Sequence, residues 1–384
     1  MKIVVANDIG NSETKMIVND TLIKQPSVVK RLLSKPNVME TNVEKNIANL
    51  LDELIVHVTS NAIKRSGLYF IGKRANITAD KVENMNIKLG NKSKHDIPVL
   101  MTLSMLAARS VQLAYQENQE LPSSISVDVS MTTAIPASEY SADQARYLEG
   151  RFTSNDHVVI VYVGKTPVTV TLHFQTVKVT QEGIPALYAL LERDNEILKN
   201  YNEHYKKQAV PKDFANKRIL HVDIGDGTTE YIYTVGMNPV TDVCSGEKRG
   251  VGHATEEATQ LLKEEVGGFL NLNRQQFMNI FLDPSHHLHD LAVRFMQEAR
   301  YSQAQRILED IQEKYSDIAG NVDVIAVYGG GSIQFKEELY EDLLDFANNV
   351  LCEVVWIPEK YAVDMNVNGL HVINEKILFK KQKS

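Results

Sequence analysis

The chain has 384 residues, of which 43% are hydrophobic and 23% charged, with 41 Lys and Arg against 49 Asp and Glu and a net charge of −8. That is ordinary for a globular protein but too long for one core, so two domains are expected, and the negative field opposes direct binding to DNA. No apolar run approaches the roughly 18 to 20 residues of a membrane span, Met1-Lys2-Ile3-Val4-Val5 runs into a strand pattern rather than a signal peptide, and Cys244 and Cys352 are too isolated for a disulfide framework or zinc site. A cytoplasmic protein without membrane contact is expected.

The apolar run Ile3-Val4-Val5-Ala6, the turn Asp8-Ile9-Gly10-Asn11-Ser12-Glu13-Thr14 and the run Met16-Ile17-Val18 read as strand, tight turn, strand. Val43, Ile47, Leu50, Leu51 and Leu54 keep helical spacing, as do Leu103, Leu106, Ala107, Val111 and Ala114. Val158 to Val179, rich in Val, Thr and Ile, reads as a β-meander opening a second domain, and Asn200 to Lys217, polar and holding Pro211, as a surface excursion. Then the opening pattern returns: Ile219-Leu220-His221-Val222, Asp223-Ile224-Gly225-Asp226-Gly227-Thr228-Thr229 and Tyr231-Ile232-Tyr233. Four of the seven turn positions are identical, 215 residues apart, which points to a duplicated domain. Helices follow at Ala254 to Val266 and at about Leu288 to Tyr315. A strand over Val322 to Tyr328 then ends in Gly329-Gly330-Gly331-Ser332 before a helix near Phe335 or Lys336. Strands alternating with helices imply an α/β architecture. The tail Lys376 to Lys383 reads as a solvated basic chain end.

The two turns suit a phosphate clamp. Gly10, Gly225 and Gly227 permit positive φ and close backbone approach to an anion. Ser12, Thr14, Thr228 and Thr229 offer hydroxyls, and Lys15 offers a charge for outer phosphates. Asp8 and Asp223 would repel those phosphates unless Mg²⁺ bridges them through water. Taken singly, each Asp-Ile-Gly reads first as a plain hairpin turn, and the pair reverses that preference. The glycine-rich strand-to-helix turn lets a flat ligand lie against the backbone. The cluster His286, His287 and His289 invites a metal, but lacks the i, i+4 spacing of a helical zinc pair, and Pro284-Ser285 reads as a helix start.

Asp8-x-Gly10 to Lys15, Asp223 to Thr229 and Tyr328-Gly329-Gly330-Gly331-Ser332 resemble, in order and spacing, the phosphate-1, phosphate-2 and adenosine motifs of the actin, Hsp70 and sugar-kinase superfamily. Two connecting segments look similar as well: Thr133 to Tyr140, and Asn366-Val367-Asn368-Gly369-Leu370. Val177 to Ala186 resembles the segment bearing the catalytic glutamate in bacterial plasmid-partitioning actins of the ParM/StbA type, a role the resemblance carries to Glu182. Read without the family, Glu182 is a solvated residue at a strand end. The resemblance implies an actin-like, duplicated ribonuclease H-like fold, with two domains around a nucleotide cleft. Domain I would span residues 1–150 with 350–384 returning to it, and domain II residues 151–349. It implies a nucleoside triphosphate hydrolase with ATP or GTP and Mg²⁺ as cofactors, Asp8, Asp223 and Glu182 as catalytic residues, and Gly10, Asn11, Ser12, Thr14, Lys15, Gly225 to Thr229 and Gly329 to Ser332 as nucleotide contacts. The partners it implies are further copies of the chain, in a filament, and a DNA-binding adaptor on plasmid DNA. Phosphate-1 departs from relatives in Glu13, and phosphate-2 carries Asp226, which reads more like actin.

Two other functions use the same clamp. A small-molecule kinase of the sugar-kinase type would need a carboxylate base beside an acceptor pocket, and no candidate stands out beyond Glu182. A chaperone-like or adaptor ATPase would need a substrate-binding domain after Gly369, and none is expected there.

Overall fold

The computed structural model describes residues 1–37, 41–78, 82–85 and 92–379. The chain forms two compact units, Met1–Ala189 with Asn366–Ser384, and Leu190–Met365. Both are α/β, as the alternation of patterns implies.

The first unit holds strands β1 (Lys2–Ile9), β2 (Glu13–Val18), β3 (Thr21–Pro26), β4 (Val28–Leu32), β5 (Ile55–Thr59), β6 (Gly67–Ile71), β7 (Glu83–Asn84), β8 (Ser124–Ile135), β9 (His157–Val163) and β10 (Thr166–Gln181). They form one sheet in the order β3-β2-β1-β8-β10-β9-β5-β6-β4-β7. Side chains alternate across a strand, so Ile3, Val5 and Ile9 enter the main core while Ala6 and Asp8 point to the opposite face. The core side is filled by the helix Asp96–Asn118, buried at nearly every position from Ile97 to Val111. Asn7 on that side donates to Thr102 Oγ1 of the helix at 2.9 Å. On the other face, Val367 and Leu370 of the helix Met365–Ile373 pack against Ala6, Ile17 and Ala134, and Thr132 Oγ1 donates to Asn374 Oδ1 at 2.8 Å.

The second unit holds β11 (Arg218–Ile224), β12 (Thr229–Val235), β13 (Asn238–Pro239), β14 (Ser245–Glu247), β15 (Val324–Tyr328) and β16 (Glu353–Trp356). Their order is β13-β12-β11-β15-β16, with β14 also on β12. Leu220, Val222 and Ile224 enter a core with Ala258, Leu262, Ala299, Ile307 and Leu343 from three helices, so His221 and Asp223 point away from it.

The internal echo is a duplication of topology as well as of sequence. The path β3-β2-β1-β8-β10 runs through two antiparallel and then two parallel pairings, and β13-β12-β11-β15-β16 repeats that series. In each unit the motif-bearing strand, β1 or β11, sits at the change from antiparallel to parallel neighbours.

Several expectations are corrected. Val158 to Val179 does not open the second unit: β10 runs parallel to β8 from Thr169↔Ser124 to Gln181↔Ile135, and β9 pairs with β5. The first boundary therefore falls after Ala189, not near 150. Likewise β16 completes the second sheet beside β15, which moves the return crossover from about 350 to Asn366. Asn200 to Lys217 is anchored rather than a free excursion, since Tyr201 and Phe214 are buried with rings 5.5 Å apart. The first helical pattern forms a helix only over Val43–Ala48. Among the described residues one helix, Asp96–Asn118, is long and apolar enough to span a membrane, and it is the core helix of the first unit. From Lys380 the basic tail lies outside the described residues.

Candidate functional site

The two turns are built alike. Gly10 N donates to Glu13 O at 3.0 Å and Gly225 N to Thr228 O at 2.9 Å. Behind them Asp8 faces Lys15 and Ile9 faces Thr14, as Asp223 faces Glu230 and Ile224 faces Thr229. Each therefore presents an aspartate at the end of the central strand, on the face away from the hydrophobic core; Asp8 is 7% exposed and Asp223 9%. Lys15 Nζ lies 3.7 Å from Asp8 Oδ2. The equivalent residue in the second turn is Glu230, so the duplicated clamp has one lysine.

The turn glycines are needed for a different reason from the expected one. None of Gly10, Gly225 and Gly227 has a positive φ. What excludes a side chain is the tightness of the turn: a Cβ on Gly10 would sit 2.5 Å from Glu13 O, and one on Gly225 3.0 Å from Thr228 O. Thr14 is wholly buried with its hydroxyl 2.9 Å from Ser27 Oγ, and Ser27 Oγ donates to Gly10 O at 2.7 Å, so Thr14 braces the turn rather than presenting its hydroxyl outward. Thr229 is buried in the same register. Asn11, Ser12, Gly225, Asp226 and Thr228 keep access to solvent. Asp226 lies 3.7 Å from Arg274 Nη1, and its carbonyl accepts from Gly252 N at 2.8 Å.

The second turn is also held by residues the motif does not include. Gly250, at φ 149°, has no room for a Cβ, which would lie 2.5 Å from Asp226 O. His253 Nε2 is 2.9 Å from Gly227 O. Both begin the helix Val251–Glu265 or stand just before it. A glycine preceding a helical pattern was the available signal, but nothing in the sequence ties it to a turn 25 residues earlier.

In the third motif the helix starts at once, over Gly330–Gln334, with a second from Lys336. Gly329 takes φ 90°; a Cβ there would meet Ile224 O at 2.4 Å and Asp223 Oδ1 at 2.5 Å. A Cβ on Gly331 would meet Ile224 Cγ2 at 2.4 Å, whereas one on Gly330 would meet nothing within 4 Å. Gly329 and Gly331 thus serve the approach to β11, and Gly330 is the position that leaves bare backbone facing open space. Ser332 is fully buried and its hydroxyl donates to Gly329 O at 2.8 Å; its side chain caps the turn and is not presented to a ligand.

Glu182 follows the last residue of β10. Its N–H donates to Ile135 O at 2.8 Å, Gly183 turns at φ 84° with its N–H on Asn366 Oδ1 at 3.2 Å, and the helix Ile184–Glu192 begins. The expected place at an element end holds, but the solvated reading does not: Glu182 is 8% exposed, and its Oε1 is 2.5 Å from Lys92 Nζ. Burial by itself would push the Lys92 ammonium down, but the Glu182 carboxylate outweighs it and, with Asp8 and Glu139, holds Lys92 above the usual lysine range. The polar sequence around Lys92 looks like any solvated loop, so this partner was not legible.

His286 and His287 stack at 4.6 Å within a turn in which Leu288 N donates to His286 Nδ1 at 3.1 Å; the helix itself begins after that turn, at His289, with Leu288 and not Ser285 as its N-cap. Among the described residues the group of ligand-type side chains with converging atoms is a different one, Asp20, His371 and Glu375.

The residues fit the implied nucleotide and Mg²⁺. Within each unit the turn presents one buried carboxylate at a strand end, with a lysine beside it in the first unit and a glycine whose Cβ position is open in the second, and these are the residue types that Mg²⁺ and phosphates require.

This pairing of a duplicated strand-turn-strand with a glycine-rich strand-to-helix turn defines an actin-type ATPase fold. Two family models match: one described as actin-like proteins, N-terminal domain, over residues 6–184, and one described as archaeal actin homologue MreB-like, C-terminal, over residues 221–341. The chain belongs to the actin-like ATPase superfamily. Similar solved structures include the actin-like protein Alp7A, with a TM-score of 0.69 at 15% identity, covering 97% of this chain and 96% of that one. The archaeal actin homologue Ta0583 matches with a TM-score of 0.67 at 15% identity, over 97% and 99% of the two chains. Bacillus thuringiensis ParM, solved with ATP, matches with a TM-score of 0.60 at 12% identity, over 97% and 98%. No curated protein sequence matches the chain.

Proposed function

We propose that this chain is a filament-forming ATPase, with GTP as a possible second substrate, and that its filaments move plasmid DNA through a DNA-binding adaptor. The observation that carries the nucleotide reading is the repeated turn with its buried aspartate, once in each unit. In this reading both turns would serve one Mg²⁺–triphosphate. Asp8 and Asp223 would hold the metal through water, and the metal would supply positive charge to the outer phosphates. Asn11 and Ser12 in one turn and Asp226 to Thr228 in the other would offer backbone N–H groups and hydroxyls, while Gly10 and Gly225, whose own N–H groups close the turns, would let the backbone approach; Lys15 would add charge at the outer phosphates, and Gly330 would let the nucleoside lie against the backbone. Thr14, Thr229 and Ser332 shape these turns from behind. Glu182 orients the attacking water, as a carboxylate at that task commonly does.

Related structures support this reading: Bacillus thuringiensis ParM has been solved with ATP and with AMPPNP, Ta0583 in complex with ADP, and pCBH ParM as a non-polymerisable quadruple mutant. The net charge of −8 favours an adaptor over direct DNA contact.

Right-angle light scattering recorded beside a phosphate-release assay tests it. Scattering should rise with ATP and Mg²⁺ and decay as phosphate appears. Glu182→Gln should assemble normally while releasing phosphate about 10- to 10³-fold more slowly. A wild-type protein that never scatters with any nucleotide overturns the filament reading, and wild-type hydrolysis by Glu182→Gln overturns the assignment of the carboxylate.

A further inference from the structure

We propose that Lys92 is a positioning residue for hydrolysis, whose ammonium group holds the Glu182 carboxylate in one direction; this rests on the reading of Glu182 as the water-orienting group. Both side chains are withdrawn from solvent, with 6% of Lys92 and 11% of Glu182 exposed, and they meet at 2.5 Å from opposite parts of the first unit. A buried ion pair is a poor device for stability alone, because an apolar pair of similar volume serves as well or better. A buried pair beside candidate chemistry is more often there for the chemistry.

Lys92 is itself held in place. Its N–H donates to Glu139 Oε2 at 2.7 Å, and Ser93 Oγ donates to Gln144 Oε1 at 2.9 Å. Arg151 Nη1 reaches Ser93 O at 2.8 Å and His95 O at 2.6 Å. Residues 92–95 are therefore tied to the helix Ala142–Thr153 and its preceding turn. Glu182 is held from its own side by the ladder bond to Ile135. Without the ammonium, the Glu182 carboxylate loses the short charge-assisted bond that aims it. Its direction would loosen, and misplacement of about 1 Å costs on the order of 10²-fold in rate.

The test measures steady-state kcat and KM, with fluorescent-nucleotide affinity alongside, for the full-length wild type, Lys92→Met, Glu182→Gln and the double variant. Lys92→Met should lower kcat about 10- to 10²-fold while leaving KM and affinity within about twofold, and the double variant should be no slower than Glu182→Gln alone, because the two residues act as one unit. Lys92→Gln stands in should Lys92→Met fail to fold, and the double variant removes both charges together. A normal rate in folded Lys92→Met with a slow Glu182→Gln overturns the role of Lys92 and leaves Glu182 standing. Losses that multiply in the double variant, or a loss confined to KM, overturn it too. A normal rate in Glu182→Gln removes the reading on which the proposal rests.

Discussion

Three consecutive glycines are indistinguishable in the sequence, yet the structure gives them different duties. Gly329 combines φ 90° with a Cβ position 2.4 Å from Ile224 O, while the Cβ position of Gly330 is open. Gly329→Ala should therefore cost about 2–4 kcal/mol, combining backbone strain with a clash against rigid main chain, and should disturb Asp223. Gly330→Ala should leave stability within about 1 kcal/mol and weaken nucleotide binding instead. Urea denaturation and a nucleotide titration on both variants separate the two; equal stability losses would show that Gly330 is structural like its neighbour. The same limit applied to Lys92 and Gly250, whose importance lies in contacts with residues distant in the chain. Asp8 and Asp223 were expected from a local pattern repeated in the chain, whereas Glu182 was expected only from a resemblance to a family.

At the scale of elements, periodicity located strands and helices well wherever a single face is buried. The hairpins around both turns follow from apolar runs flanking Gly-rich turns, and the long helix expected from about Leu288 to Tyr315 spans His289–Asp317. Failures came where partnership decides. The strands of Val158 to Val179 were legible as strands, but their pairing with β8 rather than with the second sheet depends on non-local register. Asn366 to Leu370 was read as a connecting segment, and is part of a helix whose close packing requires glycine. A Cβ on Gly369 would lie 1.7 Å from Pro185 O, at the start of the helix that follows Glu182. Gly369→Ala must push these helices apart and should cost about 3 kcal/mol. Gly150→Ala, where the added atom would meet only Ser154 Oγ at 3.8 Å, provides the control. Urea midpoints decide the matter, and a Gly369→Ala midpoint equal to that of the control would refute the close-packing account.

At the scale of the whole molecule, a repeated topology means that each unit brings its own strand-turn-strand and its own aspartate, and the proposed function makes each of them one half of a phosphate clamp. If one Mg²⁺–triphosphate engages both turns, its binding energy is shared, and losing the contact in one unit must lower occupancy of the other by the same factor. Hydrogen exchange reads this directly. In wild-type protein ATP and Mg²⁺ should slow exchange at residues 8–15 and 223–230 together, by up to the linkage value of about 2.7 kcal/mol at a hundredfold excess over Kd. Asp8→Ala, at a nucleotide concentration that saturates the wild type, should lose protection at residues 223–230 although the substitution lies in the other unit. Without nucleotide, the variant should exchange at 223–230 as the wild type does, which rules out a conformational effect of the substitution itself. Asp223→Ala should mirror this at residues 8–15. Protection at 223–230 that persists undiminished in Asp8→Ala would mean that the second turn binds nucleotide by itself, and the duplicated aspartates would then be relics of a repeat rather than halves of one clamp.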